Sequence, residues 1–185
     1  WLSENWGKIK PTPIDNIQAL TDGYNFKLEE GRTLTSLYSP GHAKHHYTFY
    51  DNISKTIFMG DTLGLIYPHG NFVQPNLPPP DFNRETLIDT LENIASLELE
   101  YVAIAHFGIH SNPYELINNA IDSIDQWVNF MSKMPELSNE DAAKKLEQWV
   151  LQNYKSLNIE ERTITNYMEN TNFDMQVWGL RNSSK

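Results

Sequence analysis

The six histidines of this chain are unevenly spread along the sequence. Three lie in the string Ser-Pro-Gly-His-Ala-Lys-His-His, and two lie in Ala-His-Phe-Gly-Ile-His. Between these strings the chain reads Met-Gly-Asp-Thr-Leu-Gly. Neutral imidazole and carboxylate are ligands that zinc, iron and manganese accept. The residues that could build a metal site are therefore His42, Asp61 and His106, with His45, His46 and Thr62 beside them.

Three of these residues share one position relative to the predicted strands. His42 follows a strand and a Pro-Gly turn, Asp61 follows a strand and a glycine, and His106 follows a short buried strand. Loops at the ends of strands converge into functional sites, so these side chains are candidates for one centre. A carboxylate can bridge two cations, which a single imidazole cannot do. Asp61 is therefore the candidate for the middle of a two-metal site and for a catalytic role.

Each candidate also has a purely structural interpretation. A Gly-Asp pair after a strand usually caps its own turn, and a single histidine at a strand end is more often hydrogen-bonded than a ligand. His45 and His46 could be surface residues that enter a strand. His69 is expected in an exposed loop, and His110 is equally compatible with exposure and with a place behind the site. The joint occurrence of three similar placements favours the metal interpretation.

Short segments rich in Thr, Phe, Tyr and Ile predict the strands that would carry these residues. Turns such as Thr-Asp-Gly and Glu-Gly separate the first segments, which indicates an antiparallel meander. A further apolar run at residues 101–105 is typical of a buried strand. The predicted strands of the meander are residues 16–20, 24–28, 32–38, 46–50 and 55–59.

Apolar stripes at helical spacing predict the helices. One stripe follows Asn83, a candidate N-cap, and a second begins at Pro113 in a first turn. A third follows Ser138, and another helical stretch covers residues 159–168. The order of elements indicates an α/β or α+β sandwich followed by a helical tail. We expect one domain over residues 1–134 and a helical extension over residues 135–185.

The composition narrows the classes of function. A chain of 185 residues with 39% hydrophobic residues is globular, and its net charge of −10 disfavours nucleic acid as a partner. No apolar run is long enough for a membrane span. The absence of cysteine excludes disulfides and thiolate-bound zinc, and it fits a reducing cytoplasm. We therefore expect a cytoplasmic protein that acts on a small molecule.

The three motifs resemble the last three metal-binding motifs of the metallo-β-lactamase superfamily. Ser-Pro-Gly-His42, Gly-Asp61-Thr and Ala-His106-Phe-Gly agree with them in order, spacing and strand context, over approximately residues 16–127. The resemblance implies the C-terminal half of an αββα sandwich, followed here by a helical tail. It also implies a metal-dependent, binuclear hydrolase, whose substrate the sequence does not indicate.

The resemblance implies a role for each residue. His42 would bind the first metal, Asp61 would bridge the two metals, and His106 would bind the second. The cofactors would be two divalent cations, with zinc preferred and iron or manganese as alternatives. Three further residues would lie close behind the site, where they orient a ligand or touch the substrate: His45, His46 and Thr62.

The first motif of the superfamily, His-x-His-x-Asp-His, has no counterpart in this chain, and no histidine precedes His42. We therefore expect a C-terminal piece of a longer protein, inactive alone, and Trp1 as the first residue favours this. Such a piece would expose an apolar sheet face and would pair with its missing N-terminal half or form homo-oligomers. The alternative is a non-catalytic interaction domain that keeps the fold without a complete metal site. A redox di-iron site is a third possibility.

Overall fold

A single sheet of six strands organises the described part of the chain. The computed structural model describes residues 7–8, 10–68, 72–157 and 159–182. Neighbouring strands follow one another in chain order, and all pairs are antiparallel except β4 with β5, which is parallel. The strands are β1 (Asn25–Lys27), β2 (Thr33–Tyr38), β3 (Tyr47–Asp51), β4 (Thr56–Gly60), β5 (Tyr101–Ile104) and β6 (Gly108–His110).

The directions of the strands bring three chain segments to one edge of the sheet. Strands β2 and β4 both run antiparallel to β3, and β5 runs parallel to β4. The carboxyl ends of β2, β4 and β5 therefore lie at the same edge, where α/β sheets usually carry their sites. The pairing of β4 with β5 is irregular between Phe58 and Gly60, directly before the turn at this edge.

Helices cover one face of the sheet, and their starts follow the predicted caps. The Asn83 side chain accepts a hydrogen bond from the Thr86 backbone, and Ser138 accepts one from Asp141. Pro113 occupies the first turn of its helix. The helices of the described residues are α1 (Arg84–Ala95), α2 (Pro113–Ser132), α3 (Asn139–Ser156), α4 (Glu161–Glu169) and α5 (Phe173–Asn182).

The hydrophobic core lies between the sheet and the helices. Ile57, Met59 and Val102 are buried on the covered face and belong to one cluster with the apolar stripes of α1 and α2. Arg84 of α1 forms an ion pair with Asp125 of α2 beside this contact. The cluster continues into α3, α4 and α5. The division at residues 134 and 135 into a domain and an extension stays a prediction.

The opposite face of the sheet carries aromatic side chains that no helix of the described residues covers. Phe58 points away from Ile57 and lies opposite Phe49, and it is 40% exposed. Tyr101 on the same face is 40% exposed and Ile109 is 64% exposed. We call this surface the open sheet face; its members are Phe26, Phe49, Phe58, Tyr101 and Ile109.

The structure corrects two parts of the strand prediction. Residues 16–20 do not form a strand, because Ile17 is exposed and the backbone there has a 3-10 turn at Ile14–Asn16 instead of a paired neighbour. Strand β6 was not expected; it follows the turn at Phe107 and pairs with β5. The other four meander strands, the buried strand and the helices are confirmed to within a few residues. No helix of the described residues is long and apolar enough to cross a membrane.

Candidate metal centre

Asp61 and His106 meet at the edge where β4 and β5 end. Asp61 directly follows β4, and His106 follows β5 after one intervening residue. Because these two strands are parallel neighbours, their following segments emerge side by side. The Nε2 atom of His106 lies 3.1 Å from the Oδ1 atom of Asp61.

The contact between these two atoms has the spacing of two ligands on one cation. Zinc–nitrogen and zinc–oxygen distances near 2.0–2.2 Å place two ligands of one ion about 2.9 to 3.5 Å apart. The Oδ1 atom of Asp61 is buried and forms no hydrogen bond within the described residues, so its pairing with His106 is not a hydrogen bond. A buried carboxylate oxygen without a donor is costly unless a positive charge compensates it. The pair therefore fits a divalent metal.

His42 is buried and is held in one tautomer. Its Nδ1 atom lies 2.9 Å from the carbonyl oxygen of Asn76. A carbonyl only accepts hydrogen bonds, so Nδ1 of the neutral ring carries the proton and Nε2 keeps a free lone pair. Burial lowers the pKa of His42, and the Asn76 hydrogen bond and the charge of Asp61 oppose this only in part. The ring is therefore neutral near pH 7, as a metal ligand must be.

The Pro-Gly turn before His42 is fixed against helix α1. Gly41 has a φ of 119°, and a Cβ atom there would lie 2.4 Å from the Cα of Leu87. Only glycine allows this backbone conformation and this close approach. The Asn83 backbone donates to the Gly41 carbonyl, and the Thr90 hydroxyl donates to the Pro40 carbonyl. Helix α1 thereby sets where the chain enters the site.

His46 and Thr62 lie behind the turn that carries Asp61. The Asp61 backbone N–H donates to Nε2 of His46 at 3.4 Å, and Nδ1 of His46 lies 3.0 Å from the Thr62 hydroxyl. Both ring nitrogens of His46 therefore face protein atoms. Gly60 is needed beside this ring, because a Cβ atom there would lie 2.7 Å from Nε2. Burial is the main cause that lowers the pKa of His46.

The remaining histidines differ from one another in their surroundings, and His45 is close enough to contribute to the lowered pKa of His42 and His46. His45 is exposed, next to the ion pair of Lys44 with Asp81. His110 is partly buried on β6, and its Nε2 atom has no hydrogen-bond partner in the described part of the chain. His69, expected in an exposed loop, lies outside the described residues.

The structure brings part of the predicted ligand set into contact. Asp61 contacts His106, and the rings of His42 and His46 lie 5.8 Å apart between centroids. Burial lowers the pKa of both His42 and His46, and the charge of Asp61 opposes this lowering in each, which places both rings within its electrostatic range. Among residues 7–8, 10–68, 72–157 and 159–182, no group of three or more acidic or histidine side chains could hold one metal ion. Convergence of all three ligands on one centre stays a prediction.

Three contributors to the site have no clear signal in the sequence. The Asn76 carbonyl that orients His42 comes from a backbone group 34 residues away. Tyr67 packs its ring against Phe107, the neighbour of His106, with centroids 4.6 Å apart. Gly60 makes room for His46. Of the three, only Gly60 belongs to a motif that the sequence shows, the Gly-Asp pair at the end of β4.

A sequence comparison shows the family of this chain. A sequence model of the metallo-beta-lactamase superfamily matches residues 2–106. None of the curated proteins matches this chain in sequence.

Solved structures give the same architecture at low identity. A metallo-beta-lactamase superfamily protein from the archaeon Sulfolobus tokodaii superposes with a TM-score of 0.61 and 21% identity, covering 97% of this chain and 58% of that protein. A metallo-beta-lactamase family protein from Thermus thermophilus superposes with a TM-score of 0.58 and 20% identity, covering 71% of this chain and 43% of that protein. A beta-lactamase domain protein from Burkholderia ambifaria superposes with a TM-score of 0.52 and 15% identity, covering 65% of this chain and 37% of that protein. These likenesses show the fold, and the chain spans between about a third and three fifths of each relative.

Proposed function

The chain belongs to the metallo-β-lactamase superfamily, and on that basis we propose that it forms part of a metal-dependent hydrolase with Asp61 and His106 as neighbouring ligands. The observation that carries the proposal is the buried Oδ1 atom of Asp61, which faces Nε2 of His106 at 3.1 Å without a hydrogen bond. His42, neutral and with Nε2 free, is the third proposed ligand. Asp61 is also the proposed catalytic residue, because its carboxylate can bridge two ions.

When bound, divalent cations would supply Lewis-acid polarisation of the substrate and a water nucleophile at neutral pH. The residues of this chain would hold these cations and orient the side chains that bind them. Asp61 offers its carboxylate while His46 fixes the backbone N–H of the same residue. Thr62 holds the ring of His46 through its hydroxyl. Zinc is the proposed metal, with iron or manganese as alternatives for the same donor set.

The number of ligands in this chain supports the proposal that another part of the protein contributes further metal ligands. Asp61, His42 and His106 provide three ligand residues at most, and a pair of catalytic ions needs about three protein ligands each. The chain spans 58% of the length of the Sulfolobus tokodaii relative. We propose that the remaining ligands come from the N-terminal half of the sandwich, in an intact protein that acts on a small molecule in the cytoplasm.

The open sheet face also supports the proposal that this chain packs against the N-terminal half of the sandwich. Phe58 and Tyr101 are 40% exposed and Ile109 is 64% exposed on one side of the sheet. A contiguous apolar surface of this kind marks an interaction site or an aggregation risk in a lone domain. Packing of a second sheet on this face, from the N-terminal half or from another copy of the chain, would remove these rings from water.

A second candidate function is a non-catalytic interaction domain that retains the fold. The observation that favours it is the lack, within the described residues, of any three side chains able to hold one metal ion. The two proposals differ in one respect that can be measured. The hydrolase needs metal for activity, whereas the interaction domain keeps its partner after the metal has been removed.

Hydrolysis by the intact protein tests the proposal. The protein is reconstituted with zinc and assayed on an ester, a thioester, a lactone, a β-lactam and a phosphodiester, before and after chelation. We expect one of these activities, its loss on chelation, and a decrease of about a hundredfold or more in Asp61→Asn and His42→Ala. Asp89→Asn, an exposed carboxylate on α1, is the matched control and should keep full activity. An activity that chelation leaves unchanged would refute the metal mechanism.

A further inference from the structure

The peptide group between Asn76 and Leu77 connects the candidate site with the helical tail. Its carbonyl oxygen, on Asn76, accepts the hydrogen bond from Nδ1 of His42 at 2.9 Å. Its N–H, on Leu77, donates to the side-chain oxygen of Gln176 at 2.8 Å. Because a trans peptide group is planar, its N–H and C=O point in opposite directions. A partner that fixes the N–H therefore also fixes the direction of the carbonyl.

Helix α5 contacts this part of the chain at a second point. A Cβ atom on Gly179 would lie 1.9 Å from the carbonyl oxygen of Leu77, so the backbone of the helix and that carbonyl are in close contact. Gln176 and Gly179 lie three residues apart on α5 and so share one face of the helix. Both polar groups of Leu77 thus meet the same helix face, and Gln176 is buried there.

Helix α5 is itself held firmly in place. The ring of Phe173 stacks on Trp127 of α2 with centroids 6.2 Å apart. At the other end of the helix, the Arg181 guanidinium donates to the carbonyls of Met134 and Leu137. A side chain presented by such a helix has a fixed position, as a group that orients another residue requires.

The chain just before Asn76 is also fixed by the tail. The Gln74 side chain donates to the hydroxyl of Thr171 and accepts from the hydroxyl of Tyr154. Gln74 and Tyr154 are both buried. The contact of Asn76 with His42 therefore depends on residues of α3, of α5 and of the connection between α4 and α5.

We propose that Gln176 is a positioning residue for the metal centre: it fixes the Asn76–Leu77 peptide group, whose carbonyl holds His42 in the tautomer with Nε2 free. The inference rests on the proposed function, since it assigns the tail a role at the proposed metal ligand. Loss of the Gln176 acceptor leaves the Leu77 N–H buried without a partner. The peptide group then turns to find one, and the Asn76 carbonyl turns away from His42.

The test compares three variants of helix α5. Gln176→Leu removes the acceptor with little change in side-chain size. Gly179→Ala leaves Gln176 in place and displaces the Leu77 carbonyl. Val177→Ala, at a fully buried position of the same helix, is the control, because it weakens the packing of the helix and leaves both contacts intact.

The first readout is the ¹⁵N spectrum of the His42 ring in metal-free protein. The wild-type protein should show a proton on Nδ1 that exchanges slowly with water. In Gln176→Leu and Gly179→Ala that proton should exchange about tenfold faster or more, with a detectable population of the other tautomer. Zinc affinity, the second readout, should fall about tenfold, as for other partners of a ligating histidine. Val177→Ala should lower stability without changing either readout.

Two results would overturn the proposal. One is an unchanged His42 spectrum in both Gln176→Leu and Gly179→Ala. The other is an equal change in Val177→Ala, which would mean that the His42 ring responds only to general loss of stability. If the wild-type protein binds no zinc, the proposed function fails, and the His42 spectra alone decide whether Gln176 positions the ring.

Discussion

Replacement of Tyr167 by Phe should destabilise the protein by about 2 kcal/mol, although the change removes a single oxygen atom. Tyr167 is 0% exposed. Its hydroxyl accepts from the backbone N–H of Tyr67 and donates to the carbonyl of Phe72. The variant keeps the ring and its packing, so almost no cavity forms. A buried donor that loses its acceptor costs about 1–3 kcal/mol, and this term dominates. Burial raises the pKa of Tyr167, so the hydroxyl stays protonated at neutral pH.

Urea unfolding of the two proteins, followed by tryptophan fluorescence, measures this difference. The slope of the transition should stay the same while the midpoint falls, since the buried surface is unchanged. Tyr38→Phe is the matched control: that hydroxyl donates to the Lys44 carbonyl at an exposed position, where water replaces it. The free energy of unfolding of this control should fall by less than about 0.5 kcal/mol. Equal losses in the two variants would show that helix α4 does not hold the chain around Tyr67.

Three further predictions concern the sheet and the turn before His42. The Arg32 hydrogen bond lowers the pKa of Asp51 to about 2, so the pair stabilises the fold above the unfolded pKa of about 3.9 and less as the pH falls towards 2. The stability difference between the wild-type protein and Arg32→Gln, from urea unfolding, should therefore shrink between pH 5 and pH 2; a constant difference would contradict this. Gly41→Ala should lower the free energy of unfolding by more than about 2 kcal/mol, because both the φ angle of Gly41 and its contact with α1 forbid a Cβ atom. Gly23→Ala is the control: it has open space around it and should lower the free energy of unfolding by about 1–2 kcal/mol. Similar midpoints of the two variants in thermal unfolding would refute this prediction. Phe58→Lys should weaken association through the open sheet face at least about tenfold in sedimentation experiments, and unchanged association would exclude this face as the interface.

Local sequence signals are sufficient to predict most of the helices and strands. The helix starts at Asn83, Pro113 and Ser138 follow from cap chemistry, which depends on residues within one turn. The meander strands are bounded by short turns that the sequence also shows. Residues 16–20 resemble a strand by composition, but no strand of the described residues pairs with them, and pairing is a property of the whole sheet.

The rest of the site depends on contacts that leave no local pattern. Every residue has a backbone carbonyl, so nothing in the sequence marks the carbonyl of Asn76 as the partner of His42. Strand β6 has three residues and follows Phe107, whose φ of 72° is unusual for a large side chain. Such a short strand shows no alternation. The motifs with Asp61 and His106 could be found because each lies within two residues of the end of a strand, and parallel pairing of those strands then brings them together.

Binding of cobalt or zinc by the intact protein tests the central claim most directly. Titration of the wild-type protein should show a saturable site, and Asp61→Asn and His106→Ala should each weaken it about tenfold or more. Asp89→Asn should bind as the wild-type protein does. If the wild-type protein binds no metal, or if Asp61→Asn and Asp89→Asn bind it equally well, Asp61 and His106 are not ligands of one cation and the metal-dependent function is wrong.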